Sequence, residues 1–306
     1  MFWLILKRLL AAIPILFILA SLCFLLVRSV PGGPFDLEKN LPPEVIANIK
    51  RKYYLDRPLH EQYFRYINRL AHGDLGVSYK YVNRTVNDIM RDALPVSVQL
   101  GSMGLLLSIL IGVPLGTLAA IKRNTPFDWI SMIIATAGIS VPAFVVGALL
   151  IYVFGIQFKI LPVGLWENAR SMVLPALTLA ASPAAYLARL TRASVLEVLE
   201  KDWVRTARSK GLSQQSTVLK HVLRNALVPI VTVLGPLTAV LITGSFIVEY
   251  VYAIPGMGRF FITAVGNRDY DLLIGTTLVF GIILLVTNTI VDILYTVLDP
   301  RIQVEG

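Results

Sequence analysis

The first apolar stretch of the chain reads LLAAIPILFILASLCFLLV at residues 9–27 and contains no charged residue. A helix needs about 20 mostly apolar residues to cross the hydrocarbon core of a bilayer, so this stretch predicts a membrane-spanning helix. Lys7 and Arg8 precede it as they would in a secretory signal. However, the stretch is longer than a usual signal core, and the VPGG sequence that follows offers no small-residue cleavage site. We therefore predict a retained helix.

Further apolar stretches predict an all-α membrane protein with six spans in a single transmembrane domain, residues 1–306. The composition agrees, because 56% of the residues are hydrophobic and only 15% are charged, whereas soluble domains carry about a quarter charged residues. The single Cys23 lies within the first span, so neither a disulfide framework nor a cysteine metal site is predicted. The predicted spans cover residues 9–27, 96–121, 129–154, 172–188, 229–248 and 272–291.

Lysine and arginine are distributed unequally between the two sides of these spans. With the N-terminus in the cytoplasm, 13 of them fall on the inner side and 4 in short outer loops. The other 11 lie in the segment 28–95, which is too long for the positive-inside rule to count. Both termini are therefore predicted to be cytoplasmic. The net charge of +9 is explained by orientation in the membrane, and no nucleic-acid partner is predicted.

Two of the segments on the outer side carry further predictions. Residues 28–95 should form a small folded cap with helices at residues 42–52 and 60–70, the first of which has proline just inside its start. A turn is expected at residues 73–76, where the sequence is GDLG. The second outer segment, residues 249–271, is predicted to be a loop.

The segment 189–227 is predicted to face the cytoplasm and to form a helix, a break and a second helix. The first helix should end at Gly211, because helix C-caps favour glycine, and Ser213 is a suitable N-cap for the second. Each helix has one apolar and one basic face. Two readings stay open: a helix pair lying in the lipid headgroups, or a docking element for a cytoplasmic partner.

The predicted spans contain no Asp, Glu, Lys, Arg or His. Proton- or sodium-coupled transporters usually hold an ionisable group near the membrane centre, although sodium can also bind backbone carbonyls. Their absence disfavours a secondary transporter or channel without removing that alternative. Glu249 and Asp292 are expected just past the ends of the fifth and sixth spans, within reach of water or headgroups.

The sequence contains no phosphate-binding loop, no hydrolase motif and no metal-ligand spacing. We therefore predict a transport subunit without a catalytic site, cofactor or metal of its own, and uphill transport would need energy from another protein. A membrane-embedded enzyme is disfavoured. Polar residues of the fifth and sixth spans are candidates to line a pathway: Thr232, Thr238, Thr243, Ser245, Thr276 and Asn288.

The cytoplasmic segment also carries a motif. RTARSKG at residues 205–211 is followed, nine residues later, by HVLR at residues 221–224. This resembles the permease motif of binding-protein-dependent ABC importers, Glu-Ala-Ala, three residues, Gly, nine residues and Ile-x-Leu-Pro. Ala207, Gly211 and Leu223 match, whereas an arginine replaces the glutamate, and histidine and arginine replace the isoleucine and proline. This variant, with LRNA after it, is similar to the peptide and nickel branch of the family.

Other stretches extend the resemblance almost end to end. IPGMG at residues 254–258 and NRDY at residues 267–270 resemble the outer loop of that branch, although Asp271 stands where proline is common. LDRPL at residues 55–59 and GDLG at residues 73–76 resemble its long outer segment. The resemblance is strongest to the B-type permease subunit of oligopeptide importers.

The resemblance implies a subunit of a bacterial inner membrane that forms half of an oligopeptide pathway in contact with membrane lipid. It also implies a heterodimer with a second homologous permease, two cytoplasmic ATPases that bind ATP and Mg²⁺, and an external solute-binding protein. Dipeptide, glutathione, nickel-chelate and antimicrobial-peptide uptake stay open as alternatives. The implied ATPase-coupling loop comprises Trp203, Arg205, Thr206, Ala207, Lys210, Gly211, Leu212 and Leu223. The candidate contacts to the binding protein are Pro255, Gly256, Arg268, Asp269 and Tyr270.

Overall fold

The computed structural model describes residues 2–35, 42–242 and 246–298, and helices dominate it. In chain order they are α1 (Phe2–Ser29), α2 (Pro43–Lys52), α3 (Leu59–Ala71), α4 (Val86–Ile121), α5 (Pro126–Ser140), α6 (Ala143–Leu150), α7 (Ala169–Leu199), α8 (Asp202–Ser209), α9 (Gln214–Thr217), α10 (Leu223–Ala226), α11 (Val228–Ile242), α12 (Phe246–Val251), α13 (Met257–Asn267) and α14 (Tyr270–Leu298). There are also two π-helical segments. Ile151–Gln157 extends α6, and Val218–Val222 joins α9 to α10.

Four helices are long and apolar enough to cross a membrane by themselves, namely α1, α4, α7 and α14. Two bent pairs pass the same test together: α5 with the extended α6, at an angle of 110°, and the helix 218–226 with α11, at 51°. Counting each bent pair as one span gives the six predicted spans. In the described part of the chain we find no strand, only an isolated bridge between Val77 and Thr85. The predicted all-α membrane class is confirmed.

The third predicted span, residues 129–154, is wrong as a continuous helix. It breaks at Val141 and Pro142, because proline lacks an N–H and disfavours helical backbone in the residue before it. Val141 accordingly adopts an extended conformation, with φ −83° and ψ 124°. The two halves meet at 110°, a geometry that fits either a broken span or a re-entrant loop.

The second predicted span begins ten residues too late, because α4 starts at Val86 rather than at residue 96. Reciprocal hydrogen bonds start this helix: the Thr85 N–H donates to Asp88 Oδ2 at 3.1 Å, and the Asp88 N–H donates to Thr85 Oγ1 at 3.1 Å. Such a capping box satisfies N–H groups that have no partner inside the helix. The hydrophobicity of residues 96–121 therefore marks only the membrane-spanning part of a longer helix.

The fourth predicted span, residues 172–188, is too short. α7 continues for eleven further residues to Leu199, so residues 189–199 belong to this helix and not to a separate cytoplasmic loop. Asn168 caps its start, accepting hydrogen bonds from the N–H groups of Arg170 at 3.0 Å and Ser171 at 3.1 Å. The arginines that ended the predicted span do not end the helix.

The segment 249–271, predicted as a loop, is largely helical. It contains the end of α12, all of α13, and the start of α14 at Tyr270. In the fifth predicted span, residues 229–248, the structure describes α11 and the start of α12, while residues 243–245 lie outside the described residues. The two predicted cap helices, 42–52 and 60–70, are confirmed as α2 and α3.

Two acidic residues expected near the span ends lie elsewhere. Glu249 is fully buried, with 0% of its surface exposed, so the prediction that water or headgroups reach it is wrong. Asp292 falls within α14, which continues to Leu298, rather than after the end of the sixth span. The error for Asp292 arises because hydrophobicity marks the apolar part of a helix and not its ends, whereas the burial of Glu249 depends on the segments that pack against it.

By its internal contacts the chain divides into two compact units. The first comprises Met1–Val96 and Pro255–Leu285, and the second comprises Ser97–Ile254 and Val286–Gly306. In the first unit, one core cluster joins the start of α4 to α13 and α14 through residues such as Ile89, Met257 and Leu272. A second cluster joins α1, α3 and α14. The cap helix α3 is therefore packed on membrane-spanning helices.

In the second unit, α4 and α7 approach each other at two glycines. A Cβ atom added at Gly112 would lie 2.5 Å from the Ala184 carbonyl oxygen and 2.8 Å from Leu187 Cβ. One added at Gly116 would lie 2.8 Å from Thr191 Cβ and would collide with a backbone carbonyl. Small residues four apart allow such close packing of membrane helices.

We expect Gly112→Ala to lower the free energy of unfolding by about 1–3 kcal/mol, because the added methyl group meets backbone that cannot move cheaply. Thermal unfolding of the purified protein in detergent measures this effect. The matched control is Gly266→Ala in α13, where an added Cβ meets nothing within 4 Å, so its melting temperature should stay the same or rise. Equal melting temperatures for the two variants would contradict the close contact.

Candidate coupling surface

The predicted break in the segment 189–227 is a helix C-cap at Gly211. After α8, the Lys210 N–H donates to the Thr206 carbonyl at 3.1 Å, and the Leu212 N–H donates to the Ala207 carbonyl at 3.3 Å. This is the Schellman arrangement, which requires left-handed backbone at the residue after the cap. Gly211 supplies it with φ +87°. An added Cβ would meet nothing within 4 Å, so glycine is required by the backbone and not by crowding.

The second helix begins at Ser213, as predicted. The Ser216 N–H donates to Ser213 Oγ at 3.3 Å, and the Thr217 N–H donates to the Ser213 carbonyl at 2.9 Å. The helix then runs through α9, the π-helical segment Val218–Val222 and α10. The expected order of helix, break and helix is therefore confirmed from Asp202 onward.

One face of this helix pair is anchored in a small apolar core. Val204 and Val222 are both 0% exposed, and they pack with residues of α7 and with Ala120 at the end of α4. Leu223 is partly buried against the same cluster. This core fixes α8 and the helix after it on the end of α7, so the surface they carry is supported by two membrane-spanning helices.

The opposite face is exposed and combines apolar with basic side chains. Trp203 is 42% exposed and Leu212 is 41% exposed, and Ala207 is half-buried. An indole and a leucine left in the open beside cationic groups are typical of a protein-binding surface. The remaining predicted coupling residues are also exposed: Arg205, Thr206, Lys210 and Gly211. We call the residues named in this paragraph the coupling surface.

An ion pair that the sequence did not predict ties α7 to α5. Arg192 Nε donates to Asp128 Oδ1 at 2.6 Å and Nη2 donates to Oδ2 at 2.7 Å, a bidentate pair. The Asn124 N–H donates to Asp128 Oδ2 at 3.0 Å, and Asp128 is 3% exposed. Since α7 leads directly to α8, this pair connects the helix that carries the coupling surface to its neighbour.

The candidate pathway residues do not share one environment. Thr232 and Asn288 are exposed and Thr238 is half-buried, whereas Thr276 is fully buried and donates to the Leu272 carbonyl at 2.8 Å. Thr276 thus faces no open surface of this chain. Thr243 and Ser245 lie outside the described residues.

The candidate contacts to a binding protein are mostly buried. Pro255 is exposed and Arg268 half-buried, but Gly256 and Tyr270 are buried, and Asp269 is 1% exposed. The prediction that Gly256, Asp269 and Tyr270 contact a binding protein at the surface is therefore wrong.

Asp269 is held inside the first unit by the cap. Ser78 Oγ donates to Asp269 Oδ2 at 2.5 Å, and the Tyr79 N–H donates to the same oxygen at 3.1 Å. Burial raises the pKa of Asp269, although these two hydrogen bonds act in the opposite direction. The carboxylate therefore fastens the cap to the turn before α14.

Among the described residues, no group of three or more His, Cys, Asp or Glu side chains could hold a metal ion. The site consists instead of an exposed helix and turn, supported by the apolar core below it, and of two buried carboxylates, Asp128 and Asp269, that join distant segments.

These features define a class of protein. The chain belongs to the family of binding-protein-dependent transport system inner membrane components, whose model matches residues 112–304. A second model, for the N-terminal part of such membrane components, matches residues 1–101. The protein is thus a multi-pass inner-membrane permease subunit of an ABC importer.

Particular relatives are similar over nearly their whole length. The oligopeptide transport system permease proteins OppB of Haemophilus influenzae and Salmonella typhimurium are each 44% identical to the chain, over 98% of the chain and 98% of the relative. The dipeptide transport system permease protein DppB of Bacillus subtilis is 41% identical, over 97% of the chain and 96% of the relative.

Two solved structures share the fold. The MetNI methionine ABC transporter, in an inward facing conformation, gives a TM-score of 0.59 at 16% identity, covering 69% of this chain and 96% of that one. An amino acid ABC transporter gives a TM-score of 0.54 at 19% identity, with 71% and 95% covered. At these identities the likeness concerns the fold alone.

We expect Asp128→Ala to lower the free energy of unfolding by about 3 kcal/mol, because it leaves the Arg192 guanidinium without its partner. This loss is at the lower end of the range for breaking a buried ion pair, because 26% of the Arg192 side chain stays exposed. Thermal unfolding in detergent measures the loss, and the double variant Asp128→Ala/Arg192→Ala should lose less than the sum of the single variants.

The exposed pair between Arg123 and Glu200, 3.0 Å apart, is the matched control. Glu200→Ala should change the free energy of unfolding by less than about 1 kcal/mol, because solvent screens an exposed pair. Equal losses for Glu200→Ala and Asp128→Ala would contradict the anchoring role of the buried pair.

Proposed function

We propose that the chain forms half of the translocation pathway for oligopeptides and that the coupling surface receives the force of partner ATPases. The observation that carries this proposal is the exposed surface around Gly211, which stands on the end of a membrane-spanning helix. Relatives that are 41–44% identical over nearly the whole chain are peptide permeases, which supports the peptide substrate. The coupling role is supported by the permease motif at residues 205–211, because most of its described residues are exposed and can contact a partner.

The proposed assembly contains a second homologous permease, two cytoplasmic ATPases that bind ATP and Mg²⁺, and an external solute-binding protein. In this assembly the chain itself carries no catalytic step. Both termini and the coupling surface lie in the cytoplasm, an orientation that the excess of lysine and arginine on that side supports. The cap then lies on the outer side, where a binding protein delivers its ligand.

The proposed mechanism is a shift between inward- and outward-facing conformations. Such a shift requires that the ATPases contact the coupling surface differently in the two conformations, since a partner with equal affinity for both shifts nothing. The apolar core around Val204 holds α8 on the end of α7, so that movement of α8 moves α7. The bidentate pair of Arg192 with Asp128 passes this movement on to α5.

Dipeptides form a second candidate substrate class, because a dipeptide permease lies among the relatives at 41% identity. ATP-driven uptake of alanine peptides of two to five residues into proteoliposomes distinguishes the two. Preference for three residues or more supports the oligopeptide assignment, and uptake restricted to two residues replaces it.

We expect Gly211→Asp to abolish peptide uptake while leaving membrane insertion intact. An L-residue in left-handed backbone costs about 1–2 kcal/mol, and here that cost falls on the turn that presents the coupling surface. Gly211→Asn is the matched control, because asparagine has the same size as aspartate and tolerates φ > 0 as aspartate does, but it adds no charge. It should retain part of the uptake.

The readouts are peptide uptake and co-purification of the ATPases after gentle detergent extraction. Normal uptake by Gly211→Asp would refute the docking role. A chain that purifies alone and moves peptide in liposomes without ATP would refute the whole proposal in favour of a secondary transporter.

A further inference from the structure

The first unit contains a cavity of about 390 Å³ between the end of α1 and the cap. Its volume lies in the range of small-molecule binding sites. Aromatic rings form much of its wall, including Phe24, Tyr54 and Tyr66. Among the described residues, its charged lining consists of four cations and a single carboxylate: Arg28, Lys52, Arg65, Arg69 and Asp271. The cavity therefore carries an excess of positive charge.

Most of these cations are held by contacts that do not neutralise them. The Arg65 guanidinium lies 3.5 Å from the centre of the Tyr54 ring. Arg28 lies 5.0 Å from the Phe24 ring centre and donates to Gln62 Oε1. Cation–π contacts and a neutral amide position a guanidinium but leave its charge available. Within the described residues, Arg69 is the one cation of this lining that pairs with a carboxylate, Asp271 at 3.0 Å.

Three other acidic groups lie near this cavity but do not line it. Asp269 accepts hydrogen bonds from Ser78 and from the Tyr79 N–H. Asp74 accepts from the Gly76 N–H at 2.8 Å and contributes to the field at Arg69. Glu61 is exposed, and it lines the adjoining pocket together with Arg65. None of these three lines the cavity.

Three donors that line the cavity have no hydrogen-bond partner among the described residues. They are the hydroxyl of Tyr66 and the Nε atoms of Arg28 and Arg69. Tyr66 is only 3% exposed, and burial raises the pKa of its hydroxyl, which therefore stays a donor. Buried donors without a partner cost free energy in a folded protein. Anionic oxygen atoms are acceptors that suit donors of this kind.

We propose that this cavity binds the terminal carboxylate of a peptide. The proposal rests on the proposed function and names the feature of the substrate that this site recognises. A carboxylate accepts two hydrogen bonds from one guanidinium edge, and its two oxygens suit several convergent donors. Peptides of unrelated sequence all share this group. A site that recognises it accepts many sequences, and the aromatic walls contact the terminal side chain without selecting it strongly.

The test compares trialanine with trialanine amide, which differs only in lacking the carboxylate. Both are titrated by calorimetry into the purified complex of permeases and ATPases, without the external binding protein. The variants are Tyr66→Phe, which removes only the hydroxyl, and Arg65→Gln. Arg91→Gln is the matched control, because Arg91 is exposed, belongs to the same unit and does not line the cavity.

We expect trialanine to bind at least about tenfold more tightly than its amide, because hydrogen bonds to a charged group are lost with the carboxylate. Tyr66→Phe and Arg65→Gln should each remove about tenfold of this preference, and Arg91→Gln should leave it intact. Without peptide, Tyr66→Phe should melt at the same temperature as the wild type or higher, because it removes a hydroxyl that has no partner.

Equal affinity for the acid and the amide overturns the proposal, as does a preference that Tyr66→Phe and Arg65→Gln leave unchanged. Phe24 and Arg28 belong to the last turns of α1, so a lipid phosphate is the rival occupant. Nanodiscs with and without phosphatidylglycerol test it. If that lipid raises the melting temperature through Arg65 and Tyr66 while trialanine has no effect, the proposal is overturned.

ATP-driven uptake of trialanine by the same complex separates this inference from the proposed function. Uptake with equal binding of acid and amide overturns only the carboxylate site. Absence of uptake of any peptide by the wild-type complex overturns the proposed function, and the carboxylate site with it.

Discussion

The bidentate pair between Arg192 and Asp128 allows one helix to serve both the membrane and the coupling surface. An arginine in an apolar helix is costly unless a partner satisfies it. Asp128 provides that partner from the first turn of α5, with both guanidinium contacts at 2.7 Å or less. α7 can therefore continue past Arg192 to Leu199. The small core around Val204 then seats α8 on this extension.

A comparable interaction organises the first unit. Asp271, at the start of α14, accepts hydrogen bonds from Arg69 Nη2 at 3.0 Å and from the Tyr79 hydroxyl at 3.2 Å. A side chain on Gly76 would collide with this carboxylate. A buried acid at the start of α14 thus binds side chains from two parts of the cap. Stacking of Tyr66 on Phe24, with ring centres 5.5 Å apart, joins the cap to α1.

The proposed coupling and carboxylate sites differ in how they are built. The coupling surface exposes Trp203 and Leu212 on a helix and a turn whose backbone is fixed by hydrogen bonds. Such a surface suits a partner that supplies the complementary groove. The cavity in the first unit is concave, with donors already oriented by rings and by Asp271. It suits a small anion, because few of its groups must be reordered on binding.

The sequence by itself determined the membrane class, the six apolar segments, the two cap helices and the break at Gly211. Each of these depends on local composition or on the backbone of one residue, such as the left-handed φ that glycine adopts freely. The family motif around Ala207 and Gly211 is equally local. Hydrophobicity, however, placed the ends of the helices wrongly, since a capping box at Thr85 and the partner of Arg192 extend α4 and α7.

Only the tertiary structure decided which distant charges meet. Asp128 and Arg192 are separated by 64 positions, and Arg69 and Asp271 by 202, so no local pattern links them. Complementary charges near the ends of two spans were the one available signal. The burial of Glu249, Asp269 and Tyr270 likewise depends on what packs against them. Side-chain environment is a property of contacts between segments, whereas helix formation and turn geometry are properties of the segments themselves.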